Sequence, residues 1–255
     1  MDTLLVERVE GVVTVTMNRP EKKNAANATM WRELQECFTE VAQTPSDRVL
    51  VLTGAGGSFC SGADLTSVGS TGHPLSLMRT VGDVALALHR LPKPTIAKVH
   101  GVAAGAGCNM ALGCDLIVAS DEARFCEIFA RRGLSLDFGG SWLLPRLVGL
   151  HRAKELALLA DMVSAKEALD LGLVNRVVSV GELDDFVDRW ARQLAAGPPI
   201  ALAMTKSLLN QSFEVAMTQA LDDEARAQVV NFSTADTAEA LAAFVEKREP
   251  HFEGR

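Results

Sequence analysis

Apolar and polar positions change period several times along the chain. In residues 4–17 (LLVERVEGVVTVTM), Val13, Val15 and Met17 alternate with Thr14 and Thr16, the period of two that marks a half-buried strand. Two strands are expected there, turning at Glu10-Gly11. Over Asn27–Gln43 the period becomes 3.6, because Met30, Leu34, Cys37, Phe38 and Val41 fall on one helical face. The β-branched run Arg48–Thr53 stops at Gly54-Ala55-Gly56-Gly57 and predicts a buried strand followed by a loop. A helix over Leu75–Leu91, closed by Pro92 and Pro94, leads to a strand at Thr95–His100. Gly101–Gly107 opens a small-residue helix running through Gly113, and a strand at Asp115–Ser120 follows.

Helices are expected at Ser141–Val148, Arg152–Leu159 and Ser164–Leu171, then a last strand at Leu173–Val178. Beyond Glu182 only helical periods occur, near 183–196, 200–212, 215–230 and 235–247, with breaks at Gly197-Pro198-Pro199 and Ser233. The class is therefore α/β, with residues 1–180 forming an α/β core and 181–255 an all-helical region. Alternation of strand and helix favours parallel pairing. No repeat of fixed period is present.

Composition narrows the function. With 25 Lys+Arg against 32 Asp+Glu the net charge is −7, and no basic run exists, so nucleic acid is not an expected partner. No apolar stretch approaches the ~20 residues that span a bilayer. The start, MDTLLVERVEG, sets charges inside its apolar run and does not read as a signal peptide. Five cysteines without a C-x-x-C spacing point to a reducing, cytoplasmic setting. Five scattered histidines predict no metal site, and the absence of tyrosine removes any catalytic phenol.

Neither Gly54–Phe59 nor Gly105–Met110 completes a dinucleotide fingerprint, and no phosphate-binding loop or nucleophile elbow occurs. Two glycine-rich segments, 56–65 and 101–107, each follow a buried strand. Both leave backbone N–H groups uncovered at a strand end. Two such groups meeting at one point would stabilise charge on a carbonyl oxygen. Tight turns alone would also explain the glycines.

Taken together, Arg19-Pro20…Asn24-Ala25, Phe59-Cys60-Ser61-Gly62-Ala63-Asp64-Leu65, Lys93-Pro94, Gly101…Gly107, Cys114-Asp115, Gly133-Leu134, Gly139–Arg146, Ala165…Val174 and the tail Phe244…Phe252 resemble the crotonase superfamily of enoyl-CoA hydratases and isomerases. The likeness runs in order through nearly the whole chain. It implies a spiral of ββα units followed by helices that build homotrimers, often paired into hexamers. It also implies an acyl-CoA thioester substrate, with coenzyme A as part of that substrate and no separate cofactor or metal. Carried over, the oxyanion donors are the backbone N–H groups of Ser61 and Ala106. The CoA and acyl contacts fall on Arg19, Lys22, Asn24, Ala63, Asp64, Leu65, Asn109 and Phe129, with Lys247 reaching in from a neighbouring subunit.

The chain departs from the hydratase pattern at both acids. Asn109 and Phe129 stand where the resemblance places the two glutamates that hydrate a double bond. Asp137 matches the aspartate of the isomerase branch, and one carboxylate suffices to move a proton between two carbons. Phe129 and Phe138 would raise its pKa. As an alternative, Asp137 would cap the following helix. Glu127 is expected at the surface or in an ion pair, although a shifted local register would turn it inward, Asp64 orders its loop, His100 is structural, and Cys60 and Cys108 are inert. Double-bond isomerisation leads this reading. An enoyl-CoA hydratase with atypical acids, or a non-catalytic acyl-CoA binder, are the rivals.

Overall fold

The computed structural model describes residues 1–67 and 73–255. It begins with a hairpin in which β1 (Leu4–Val9) pairs antiparallel with β2 (Val12–Met17). Glu10 and Gly11 both take positive φ in the turn, the backbone twist that a two-residue hairpin needs. Helix α1 (Ala28–Gln43) is started by the Asn27 side chain, which accepts from Met30 N at 2.9 Å, and it buries the face the periodicity marks. All six residues of β3 (Val49–Gly54) are buried, as expected of a parallel strand covered on both faces.

Helix α2 (Pro74–His89), β4 (Thr95–Val99), the short β5 (Val102–Ala104), α3 (Ala106–Leu112), β6 (Leu116–Ser120) and β7 (Arg124–Cys126) come next. Then follow α4 (Gly140–Val148), α5 (Leu150–Leu159), β8 (Val163–Ser164), α6 (Ala165–Asp170) and β9 (Arg176–Val178). The chain finishes in α7 (Leu183–Ala195), α8 (Pro199–Gln211), α9 (Met217–Phe232) and α10 (Ala235–Glu246). One sheet has the order β1-β2-β3-β4-β6-β9, parallel apart from the hairpin, and a small second sheet has the order β5-β7-β8.

One face of the large sheet packs on α1 and α2 through Leu50, Leu52, Ala97 and Val99. The other, bearing Val49, Val51, Ile96 and Val118, is covered by Leu183, Val187 and Ala191 of α7. The first helix of the C-terminal region is thus part of the core, each buried Leu or Val contributing roughly 1.5–3 kcal/mol. By contrast α8, α9, α10 and the α8–α9 connection expose Leu209, Phe213, Met217, Phe232 and Phe244.

Three details differ from the sequence pattern. Gly101 does not lead directly into a helix, because β5 intervenes and pairs with β7. β5, β7 and β8 have two or three residues each, too few to show a period. The last strand is Arg176–Val178 alone, with Leu173 and Val174 buried in the core before it.

Candidate active site

The two glycine segments lie side by side. Cys60 forms a bridge to Ala103, with Cys60 N donating to Val102 O (3.0 Å) and Ala104 N donating to Cys60 O (2.9 Å). On its other edge the same strand-like segment bridges Ala63 to Ala26, through Ala26 N to Gly62 O (2.8 Å) and Asp64 N to Ala26 O (2.9 Å). Packing this close leaves no room for side chains. A Cβ on Gly107 would sit 2.3 Å from Cys60 O, and one on Gly101 would sit 2.1 Å from Gly57 O. These glycines are close-approach residues as well as turn formers.

This arrangement corrects one expected donor. Ser61 N–H is committed to Lys23 O at 3.0 Å and is not available to a ligand. Two residues on, Ala63 N–H makes no hydrogen bond among the described residues, and neither does the N–H of Ala106 at the start of α3. Gly62 joins the two, since a Cβ there would lie 3.6 Å from Ala106 N. Ala63 and Ala106 thus present uncommitted amides on adjoining backbone. Gly62 lies between Ser61 and Ala63 at a φ of 101° and breaks the extended run, so Ser61 N–H turns to the 22–26 segment while Ala63 N–H stays free, a change of direction that sequence spacing does not show.

The expected substrate-binding residues divide. Arg19 pairs with Asp64 Oδ2 at 3.0 Å and donates to Ala25 O, tying segment 19–25 to the glycine loop. Asp64 also accepts from Thr66 Oγ1 at 2.6 Å, and these hydrogen bonds hold its carboxyl below the usual range. These bonds tie Asp64 to its own loop and to segment 19–25. Asn24 is fully buried and its side chain is spent. Its Oδ1 accepts from Arg19 N (2.9 Å), while Nδ2 donates to Ala55 O (2.9 Å) and Ser58 O (2.7 Å). It braces the two loops and has nothing left for a ligand. Lys22 and Leu65 are exposed beside them. Lys247 is exposed at the left-handed end of α10, and its described contacts stay within that helix end.

Asn109, on α3, is completely buried and bridges two segments. Its Nδ2 donates to Glu127 Oε2 (3.3 Å) and to the Asp137 main-chain carbonyl (3.0 Å). Gly140 makes this possible, since a Cβ there would come within 2.3 Å of the Asn109 amide. Glu127, expected at the surface, is 3% exposed and has no cationic partner among the described residues. Burial, supplemented by the nearby Asp137 charge, pushes its carboxyl up to about 7, against hydrogen bonds from Cys108 and Asn109. Asp137 is pushed up to about 6 by burial. Its side chain caps nothing. Gly139 is the N-cap of α4, and Asp137 Oδ1 has no partner.

Asn109 Oδ1, Glu127 Oε1 and Asp137 Oδ1 are all buried and unpaired among the described residues. Orphaned polar atoms at this depth cost about 1–3 kcal/mol each and gather where chemistry is done. Around them the walls are apolar. Phe129 is buried against Gly105, and Phe138, at a left-handed φ of 47°, packs its ring 5.7 Å from Trp31. That φ is strained for a bulky residue, and strain of this kind collects at working sites.

Cys60 and Cys108 are buried free thiols, both raised by burial, Cys60 to about 11, and the Glu127 carboxyl that Cys108 hydrogen-bonds pushes Cys108 further up. His100 hydrogen-bonds Gly56 O at 2.7 Å, a structural contact. Among the described residues no three His, Cys, Asp or Glu side chains gather to hold a metal ion. None of their helices is long and apolar enough to cross a membrane. A cleft of about 640 Å³ between α2, α4 and α8 meets this site only at Phe138 and Gly139, so no chemistry is assigned to it.

The profile of the enoyl-CoA hydratase/isomerase family matches residues 7–255. A 1,2-epoxyphenylacetyl-CoA isomerase of Escherichia coli is 40% identical, over the whole of both chains. A short-chain-enoyl-CoA hydratase of Clostridium acetobutylicum is 35% identical over 98% of this chain and 97% of its own. The crystal structure of an enoyl-CoA hydratase from Bacillus anthracis superimposes with a TM-score of 0.95 at 32% identity, covering 99% of this chain and all of that one. With its ββα architecture and its matching length, the chain belongs to the enoyl-CoA hydratase/isomerase family and has the crotonase fold.

Proposed function

We propose that the protein is an acyl-CoA isomerase that moves a carbon–carbon double bond through an enolate. Backbone N–H groups of Ala63 and Ala106 would bind the thioester oxygen, where charge builds up as the reaction proceeds. Asp137 would take a proton from Cα of a 3-enoyl thioester. The C–H electron pair then spreads over the thioester oxygen and the C3=C4 bond. The same carboxyl returns that proton to C4, leaving the double bond between C2 and C3. The observation that carries this reading is the half-buried Asp137 carboxyl, whose Oδ1 is buried without a partner among the described residues and which burial raises to about 6. It stands in a site with asparagine and phenylalanine at the positions where hydratases of the family are expected to hold glutamates. A base near 6 is ionised at neutral pH and still returns its proton readily.

The relative named as an isomerase supports the same reading. A second reading, hydration with an unusual acid set, is favoured by the burial of Glu127 beside Asn109 and by relatives named hydratases. The chemistry needs no cofactor beyond the coenzyme A of its substrate. The exposed Phe213, Met217, Phe232 and Phe244 support a homotrimer or hexamer built by the C-terminal helices. Lys247 would then meet a neighbour's CoA. A reducing cytoplasm suits the five free thiols.

The test is to offer 3-enoyl-CoA and trans-2-enoyl-CoA separately and identify the products. Positional isomers should form without 3-hydroxyacyl-CoA, and Asp137→Asn should lower kcat by at least ~100-fold with KM little changed. A 3-hydroxyacyl product would establish the second reading. Binding with no solvent deuterium entering the acyl chain would leave only an acyl-CoA binder.

A further inference from the structure

Glu127 has no part in the single-carboxylate shuttle, yet it is buried more deeply than Asp137 and joined to it through one amide. The charged and titratable groups acting on it are few. Cys108 comes from α3, Asp137 from the segment before α4, and Cys126 from its own strand, and no lysine or arginine is among them. Two carboxyl groups in one water-poor pocket without a cation do not both ionise cheaply. Glu127 Oε2 takes one hydrogen of the Asn109 amide and the Asp137 carbonyl takes another, so the orientation of this amide fixes the turn that carries Asp137.

We propose that Glu127 is a positioning residue of this site, which clamps the Asn109 amide against the Asp137 segment. As the more deeply buried of the two carboxyls, it is the one that keeps its proton when Asp137 has lost one. This rests on Asp137 being the base. A neutral Glu127 leaves one negative charge in the pocket before the enolate forms. Its ionisation would add a second, facing the charge that develops on the substrate. Turnover then rises as Asp137 ionises near pH 6 and falls as Glu127 ionises near pH 7. The two limbs belong to the coupled pair.

The experiment pairs rate profiles with stability profiles for wild type, Glu127→Gln and Glu127→Leu. Glutamine still offers an oxygen to Asn109 but cannot ionise. Glu127→Gln should keep the rise near pH 6, lose the fall near pH 7, and leave KM within about twofold. Glu127→Leu, which also removes the clamp, should lower kcat by about tenfold. Stability needs no substrate. A carboxyl raised in the folded state contributes stability that is complete below its unfolded value and lost as pH rises through its folded one. Wild type should therefore melt higher at pH 5 than at pH 8, and Glu127→Gln should flatten that slope. An unchanged fall in rate together with an unchanged melting slope in Glu127→Gln overturns the proposal. If no isomerisation is found at all, a flattened slope still shows the proton on Glu127 while the reading of Asp137 fails.

Discussion

The two sides of the site are built on opposite principles. On the amide side Cys60, Ser61, Gly62 and Asp64 are tied into neighbouring backbone, the glycines pass within contact distance of other backbone, and the N–H groups of Ala63 and Ala106 make no hydrogen bond among the described residues. On the carboxyl side three polar atoms are left without partners, and two acids are forced up in pKa by burial. The first side is a closely packed backbone frame, and the second is incompletely satisfied.

Several experiments would break or sharpen that contrast. The largest effect is expected from Gly107→Ala, because the added methyl meets the Cys60 carbonyl at 2.3 Å and backbone cannot yield as a side chain would. A stability loss of at least about 4 kcal/mol should follow, seen as loss of a cooperative thermal transition. Next comes exchange of the Ala63 amide for an ester, which deletes the N–H and weakens the Gly62 carbonyl only as an acceptor for Ala26 N. It should lower kcat by about 100-fold or more while leaving the fold intact. The same exchange at Ser61 should cost about 1 kcal/mol of stability, for its bond to Lys23 O, and leave turnover nearly unchanged. Equal effects at the two positions would undo the assignment of the free amide. Smallest in its effect on chemistry is Asn24→Ala. It should remove about 3 kcal/mol of stability in chemical denaturation, since it strands buried groups on both loops, and alter activity only through that loss.

The same contrast explains how far the sequence could be read. α1 and the β1–β2 hairpin were legible because long amphipathic elements repeat their period several times. β5 and β7, three residues each, repeat it hardly at all, although they carry the strand pairing behind Ala106. Asp137 was visible from its place between Gly133 and Gly139-Gly140. Glu127 was not, because a buried glutamate without a cation runs against the usual distribution of acids. Ser61 N–H, the amide the resemblance points to, is occupied by the Lys23 carbonyl, nearly forty positions away in the chain, which spacing does not reveal.

All five cysteines are interior, and burial pushes Cys37 and Cys60 up to about 11 and Cys114 up to about 12. Thiolate, the reactive form, is thus almost absent while the chain stays folded. Alkylating reagents and mild oxidants must await a breathing event, so the labelling rate of each cysteine becomes a clock for the opening of its surroundings. Cys60 and Cys108, seated on either side of the amide seam, would time the loosening of the catalytic floor itself.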